Sequence, residues 1–269
     1  MTDIFPITFN YGDKAIALEM ELDPSHRPDL VLGNAIAASG APEPEVITAM
    51  FHIVRPGDRV VDGGANIGFF TLILSQLVGP DGGVVAYEPG SNNLPRLMTN
   101  VKLNDARNIK VVTNPLWGEE AEVTLYLATD SGWNSLRKAD GAHDYDGTIT
   151  CGSERMTSTC LNLDGVRFAK LDIEGAEEMV LRGSTISIHH CPYIITEMNE
   201  EALNRFNCSG ERLRSFMWFK GYKTFLLHND GALPTYLPPL VKIKSSRPNA
   251  NVLFSTFDAV AEAWPEIKI

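Results

Sequence analysis

The sequence predicts an α/β protein built on a mostly parallel, doubly wound sheet with helices on both faces, and three observations carry that prediction. Apolar runs suited to buried strands alternate with amphipathic stretches suited to helices through the centre of the chain, the pattern of parallel strands joined by helical crossovers. The segment RVVDGGANIGFFT, residues 59–71, stops an apolar run at Asp62, turns through Gly63 and Gly64 and enters an amphipathic stretch, so that a strand feeds a helix across a nucleotide-sized crevice. Asp62, Glu88 and Asp172 each stand at the end of such a strand, which puts three carboxylates on the one sheet edge where open α/β folds bind ligands.

Taken in order, residues 14–22 alternate apolar and polar as a half-buried strand does, before Asp23, Pro24, Ser25 and the stretch 33–44 break the pattern. Residues 1–44 therefore read as an N-terminal flap and 45–269 as the main domain. In 45–54, Val46, Ile47, Met50, Phe51 and Val54 share one helical face, and Pro56, Gly57 and Asp58 close it. Strand 59–61, helix 67–78, strand 84–87, helix 92–104, strand 109–113 and strand 122–128 follow. Residues 129–148, rich in Gly, Asp and Ser with Trp133 and Tyr145 embedded, read as a long loop over the crevice, a length usually reserved for lids and binding loops. The core pattern resumes with strand 168–173, a short helix 176–181 ending at Gly183, and strand 193–198. Helix 211–219, strand 222–227 and, after a Pro-rich excursion, strand 251–255 complete the chain, with the last two strands expected as an antiparallel pair at one edge.

The chain has 269 residues, 44% of them hydrophobic, enough for a real core. Its formal net charge of -11 argues against a nucleic-acid backbone or an anionic membrane as the main partner. Cys151, Cys160, Cys191 and Cys208 show no CxxC spacing and are expected as reduced thiols in the cytoplasm. No apolar run reaches the roughly 18 residues that span a bilayer, so a protein free of the membrane is expected.

Glycines at the turn let backbone approach a ligand closely, and the helix N-terminus behind them favours a carboxylate or phosphate. The loop departs from GxGxxG at Ala65, which favours a nucleoside bearing something smaller than a pyrophosphate. Glu88, 26 positions after Asp62, can accept hydrogen bonds from both ribose hydroxyls. Asp62 is placed to hold an ammonium group, directly or through water, and the glycine loop to hold an amino-acid carboxylate, a combination that describes S-adenosylmethionine. The structural alternative is that Asp62 and Glu88 cap turns and the glycines merely permit a tight connection.

DGGANIGFFT at 62–71, YEP at 87–89, NVKLND at 100–105, KLDIEGAEEMVLRG at 170–183 and NVLF at 251–254 together resemble the FkbM family of S-adenosylmethionine-dependent methyltransferases. The similarity covers roughly residues 45–255, and KLDIEGAE is its distinguishing string. The resemblance implies a class I methyltransferase (Rossmann-like) fold with a seven-stranded, mostly parallel sheet. It also implies that Asp62, Gly64, Asn66 and Gly68 line the methionine end of the cofactor, that Glu88 binds its ribose, and that Asp172 and Glu174 lie beside the transferring methyl. Gly63 in the same loop stands where the family often has valine, a difference not expected to disturb binding.

A hydroxyl acceptor needs its proton removed, and Asp172 and Glu174, at the carboxyl end of a buried strand, are the first candidates for that base. The competing account makes Glu174 a cap for the helix near Ala176. His189 and His190 precede a strand and fall on the opposite edge, while His143 and His228 lie in loops, where a histidine is usually just solvated. Asp172, Glu197 and Asn199 offer three oxygen ligands that could hold Mg²⁺, although Glu197 and Asn199 also suit helix capping, and a metal requirement is not expected. NPLW at 114–117 lacks the second proline of the amino-methylating motif that it superficially resembles. The expected function is methylation of a hydroxyl on a sugar-bearing or other small natural product. N-methylation of a peptide or amine, a nicotinamide-dependent oxidoreductase and a non-catalytic S-adenosylmethionine sensor are the alternatives.

Overall fold

The computed structural model describes the chain except for residues 1–2, 13, 24–28, 30–31, 35, 37–41, 140, 142, 157–164, 185–190, 240, 244–248 and 269. Cys160, His189 and His190 thus lie outside the described residues. A hairpin of β1 (Asp3–Tyr11) and β2 (Lys14–Leu22) precedes α1 (Pro44–Ile53). Next come β3 (Arg59–Gly63), α2 (Phe69–Val78), β4 (Gly83–Tyr87), α3 (Leu94–Leu103) and β5 (Ile109–Val112). β6 (Glu122–Ala128) and β7 (Tyr145–Gly152) form a separate two-stranded sheet. The chain continues through β8 (Val166–Leu171), α4 (Glu177–Gly183), β9 (Tyr193–Asn199), α5 (Glu200–Arg205) and α6 (Gly210–Phe219). It closes with β10 (Lys223–Leu226), β11 (Thr235–Leu237), β12 (Asn249–Ser255) and α7 (Phe257–Ala263).

The main sheet runs β11-β10-β12-β9-β8-β3-β4-β5. β5, β4, β3, β8 and β9 are parallel, and β12 is antiparallel to both β9 and β10. Eight strands replace the expected seven, because β11 forms inside the Pro-rich excursion and adds one short edge. Short edge strands bordered by proline resist further pairing, which suits residues flanked by Pro234, Pro238 and Pro239. From β3 the chain moves outward to β4 and β5, then returns to β8 on the other side of β3. That reversal opens a crevice beyond the carboxyl ends of β3 and β8.

Successive strand residues face opposite sides of the sheet, and both sides are covered. Val60 and Phe168 pack with α1, α2 and α7, whereas Val61, Ala169 and Leu171 pack with α4, α5 and α6. The hairpin buries Ile16, Leu18, Met20 and Leu22 of β2 in the first of these layers. The backbone N–H groups of Glu19 and Glu21 donate to the side chains of Asn104 and Asn100, which ties the hairpin to α3. β1 escapes a sequence reading because Pro6 interrupts it and only Ile7 and Phe9 turn inward, while Ile4 and Phe5 stay exposed.

The stretch 129–148 is not one loop: a 3-10 turn at Ser131–Trp133 follows β6, and β7 already begins at Tyr145. The antiparallel pairing of β6 with β7 carries this turn over the crevice.

Candidate active site

A cavity of about 520 Å³ lies at the carboxyl edge of the sheet beside the reversal, a size ordinary for a small-ligand site. Gly64 and Asn66 after β3, Glu88 after β4, Asp172 and Glu174 after β8, and Glu197 in β9 all line it.

The glycine turn lines the cavity and also has a packing cause. At Gly64, φ is +86°, and a Cβ there would stand 1.9 Å from the carbonyl oxygen of Asp172. The glycine lets the end of β8 close against the β3 turn, with the Asp172 N–H donating to the Gly63 carbonyl at 2.9 Å. Asn66 is also left-handed, with φ 52°, a conformation asparagine tolerates better than most residues. Its backbone N–H donates to Glu88 Oε2 at 2.8 Å, so the turn after β3 is fastened to the acid after β4.

Asp62, Gly63 and Gly68 lie behind the residues that line the cavity. The Asp62 carboxylate is fully buried: Oδ2 accepts from Thr71 Oγ1 of α2, which braces the turn from beneath, and Oδ1 has no hydrogen-bond partner in the protein. Burial raises its pKa, partly offset by the Lys170 charge and the Thr71 hydrogen bond. A Cβ on Gly63 would meet the side-chain ends of Leu116 and Leu171 at 2.9 Å, and Gly68 has φ +96°, a left-handed conformation that favours glycine.

Glu88 Oε1 accepts from the Gly90 N–H at 2.8 Å and from Asn93 Nδ2 at 3.3 Å, while Oε2 accepts from Asn66. A carboxylate has about four lone-pair sites, which leaves Oε2 able to take one further donor. Burial pushes the Glu88 carboxyl up to about 7, against the hydrogen bonds from Gly90, Asn66 and Asn93 that favour its ionised form.

The same cavity wall gathers further carboxyl groups. Oxygens of Asp172, Glu174 and Glu197 all lie within 4.8 Å of one another, a group that could hold a metal ion. Asp172 Oδ2 is 2.9 Å from the ammonium of Lys170, which is buried and stands 4.5 Å from the Phe70 ring centre. Burial works against the Lys170 charge, but Asp172, Glu43 and Asp62 outweigh it and raise the pKa. Burial and the charges of Asp172, Glu197 and Glu177 hold Glu174 well above the usual carboxylate range, with Arg205 opposing at 3.7 Å. Burial and the charges of Asp172 and Glu43 push Glu197 up to about 8, although Asn249 donates to it at 2.8 Å. Asn199 stands apart from this group: its Oδ1 accepts from the Ala202 N–H at 3.1 Å, so it caps α5.

Glu174 does not cap α4. It sits at φ 57°, and Gly175 at φ 102° allows a close approach to the carbonyl of Ala202. Glu177, buried in the first turn of α4, accepts from the N–H groups of Ile173 at 3.0 Å and Gly175 at 3.3 Å. That clamp shapes the turn which turns Glu174 towards the cavity.

Several cavity residues escaped the sequence reading. Lys170 left a signal, a lysine within an apolar strand, because such residues are rarely buried without partners. Glu43, Asn93 and Ser131 left none, since chain crossings bring them to the site. Of the flap, Leu32, Pro42 and Glu43 line the cavity and the hairpin strands do not. His143 stacks on Trp133 at 4.5 Å and His228 bonds Thr235 Oγ1 at 2.8 Å; neither lines the cavity. Cys151, Cys191 and Cys208 are free thiols.

The buried acids set a pH dependence. Burial raises Glu43, Glu88 and Glu177 to about 7 and Glu197 to about 8, from ordinary values of 4.5. The folded chain therefore binds more protons than the unfolded chain above about pH 4.5, and the stability this gives is lost as pH rises through about 7 to 8. His52 has the opposite sign, since burial lowers its pKa from 6.5 and its contribution is lost on acidification. Between pH 6.5 and 8.5 the acids dominate, and the ligand-free protein should lose a few kcal/mol, or roughly 5–10 °C in Tm. A thermal melt with equal or higher Tm at pH 8.5 would contradict this electrostatic picture.

The sequence matches the family described as Methyltransferase FkbM domain over residues 62–224, more than half of the chain. It is 27% identical over 143 residues to Methyltransferase 1 of Beauveria bassiana, covering 46% of this chain and 57% of that protein. It is 35% identical over 60 residues to the arsenite methyltransferase of Halobacterium salinarum, covering 22% of this chain and 15% of that protein. The chain thus spans little more than half the length of the first curated relative and much less of the second. A solved SAM-dependent methyltransferase from Aquifex aeolicus superposes with a TM-score of 0.47 at 14% identity, covering 87% of this chain and 98% of that one. The family match takes in Glu88 and the KLDIEG string together with every parallel strand that follows β3. With five parallel strands and an antiparallel β12 between β9 and β10, the sheet has the class I, Rossmann-like architecture. The chain belongs to the FkbM methyltransferase family.

Proposed function

We propose that the chain is an S-adenosylmethionine-dependent methyltransferase that methylates a hydroxyl of a sugar-bearing or other small natural product. The observation that carries this reading is one cavity lined by two chemically different groups of residues. One surrounds Glu88 with the side chains of Asn66, Asn93 and Ser131, and the other gathers the carboxyl groups of Asp172, Glu174 and Glu197. Asn66 Oδ1, Asn93 Oδ1 and Ser131 Oγ are buried without hydrogen-bond partners near Glu88, so this group suits a ligand rich in donors such as a ribose. When bound, the sulfonium supplies an already activated methyl group. What the chain must add is alignment of acceptor and methyl, worth up to about 7–11 kcal/mol in the best intramolecular models, and removal of the hydroxyl proton.

Lys170 engages Asp172, whereas burial gives Glu174 and Glu197 a raised affinity for protons, which matches a general base working near neutral pH. Asp172 and Glu174 remain the residues assigned to catalysis, with Glu197 beside them. An acidic chain of net charge -11 suits a small-molecule acceptor rather than a nucleic acid. No described helix is long and apolar enough to cross a membrane, and a cytoplasmic location is proposed on the cysteine pattern.

The carboxylate trio favours one second reading, in which Mg²⁺ held by Asp172, Glu174 and Glu197 acidifies the acceptor hydroxyl. Methyl-labelled S-adenosylmethionine with matched hydroxyl and amine acceptors, with and without EDTA, separates these readings. Label on the hydroxyl compounds, unaffected by chelation, is expected. Transfer to amines alone would overturn the hydroxyl assignment, and loss with EDTA reversed by Mg²⁺ would establish the metal-assisted reading.

A further inference from the structure

We infer that Ser131 and Asn93 form a subsite that accepts a hydrogen bond from the nucleoside, built by the turn between β6 and β7. The inference rests on the proposed cofactor and assigns residues to it that no sequence motif marks. Both residues line the cavity and both are only 2% exposed. Asn93 Nδ2 spends its two N–H groups on Glu88 Oε1 at 3.3 Å and on the Ser131 carbonyl at 3.2 Å. Both partners are acceptors, which fixes the orientation of the amide and leaves Oδ1 free on its other side. Asn93 Oδ1 and Ser131 Oγ are buried with no partner in the protein, as is Asn66 Oδ1 nearby.

Leaving such groups unpaired costs about 1–3 kcal/mol each, so their presence in a cavity wall points to a ligand that supplies the missing partners. Asn93 Oδ1 can only accept, and the Ser131 hydroxyl can accept as well as donate. The ligand must therefore carry donors. Phosphate oxygens have none, whereas a ribose hydroxyl and an exocyclic amino group of the base both do.

Ser131→Ala tests the subsite, because the hydroxyl makes no bond within the protein and its removal should not lower Tm. Isothermal calorimetry of S-adenosylhomocysteine should show about tenfold weaker binding to the variant than to the wild-type chain. Three analogues then identify the donor: the 2′-deoxy and 3′-deoxy compounds, and the inosine counterpart that lacks the amino group. The analogue that removes the contact should bind wild type and variant equally. Equal binding of S-adenosylhomocysteine to both proteins would overturn the subsite while leaving the cofactor reading intact. An equal penalty with all three analogues would also overturn it. No binding to the wild-type chain would overturn the cofactor reading, and the subsite with it.

Discussion

Gly64→Ala should unfold the site: a fall in Tm of about 10 °C or more and loss of S-adenosylhomocysteine binding are the expected results. The new methyl would lie 1.9 Å from the Asp172 carbonyl oxygen and 2.9 Å from its carbon. Both are backbone atoms, so no side chain can swing aside, and the β3 turn and the end of β8 must separate. That separation displaces Asn66, whose N–H holds Glu88, and Asp172 with it. Gly57 supplies the control, because it has the same φ of +86° but nothing within 4 Å of the added Cβ. Gly57→Ala should cost only the left-handed backbone penalty, roughly 1–2 kcal/mol, and should leave ligand binding unchanged. Equal losses in the two variants would show that backbone conformation alone governs both positions and that close approach of the strands does not matter.

Glu174→Gln should lower turnover on a hydroxyl acceptor about 10²- to 10⁴-fold while S-adenosylhomocysteine affinity stays within about threefold. The side chain keeps its shape and loses its ability to take a proton. Because burial already disfavours the charged carboxylate, the amide should leave Tm at pH 8 unchanged or higher, a separation that a merely structural residue would not give. Asp172→Asn should also lower turnover, but with a loss of stability, since it takes from the buried Lys170 ammonium the carboxylate 2.9 Å away. Full turnover in Glu174→Gln would remove it as the base and transfer the role to Glu197 or Asp172.

The parts legible in the sequence are those governed by local pattern. The alternation of apolar runs gives every parallel strand, and the turn after Asp62 gives the crevice, because strand-to-helix geometry is written in neighbouring residues. Glu88 and Asp172 were legible as strand-end acids for the same reason. What the sequence hides is set by crossings between distant segments. Asp62 reads from the sequence as a ligand contact alone, and nothing there shows that Thr71, a turn into α2, takes one of its oxygens while the other stays buried without a partner. Asn199 looks like a metal ligand until the start of α5 uses its oxygen, while Glu174 enters the carboxylate group because Glu177 and Gly175 set the turn around it. The stretch 129–148 reads as a loop because Tyr145–Gly152 pairs only with β6 and leaves most of its side chains exposed, so no apolar alternation marks it. Ser131 and Asn93 meet across 38 residues and carry no sign of it.

The most direct test of the cofactor assignment is calorimetric titration of the purified wild-type chain with S-adenosylmethionine, S-adenosylhomocysteine and NAD, with and without Mg²⁺. The cavity described here predicts saturable binding of the first two, none of NAD, and no need for the metal. Binding of NAD alone would contradict it and assign the crevice beside Glu88 to a dehydrogenase.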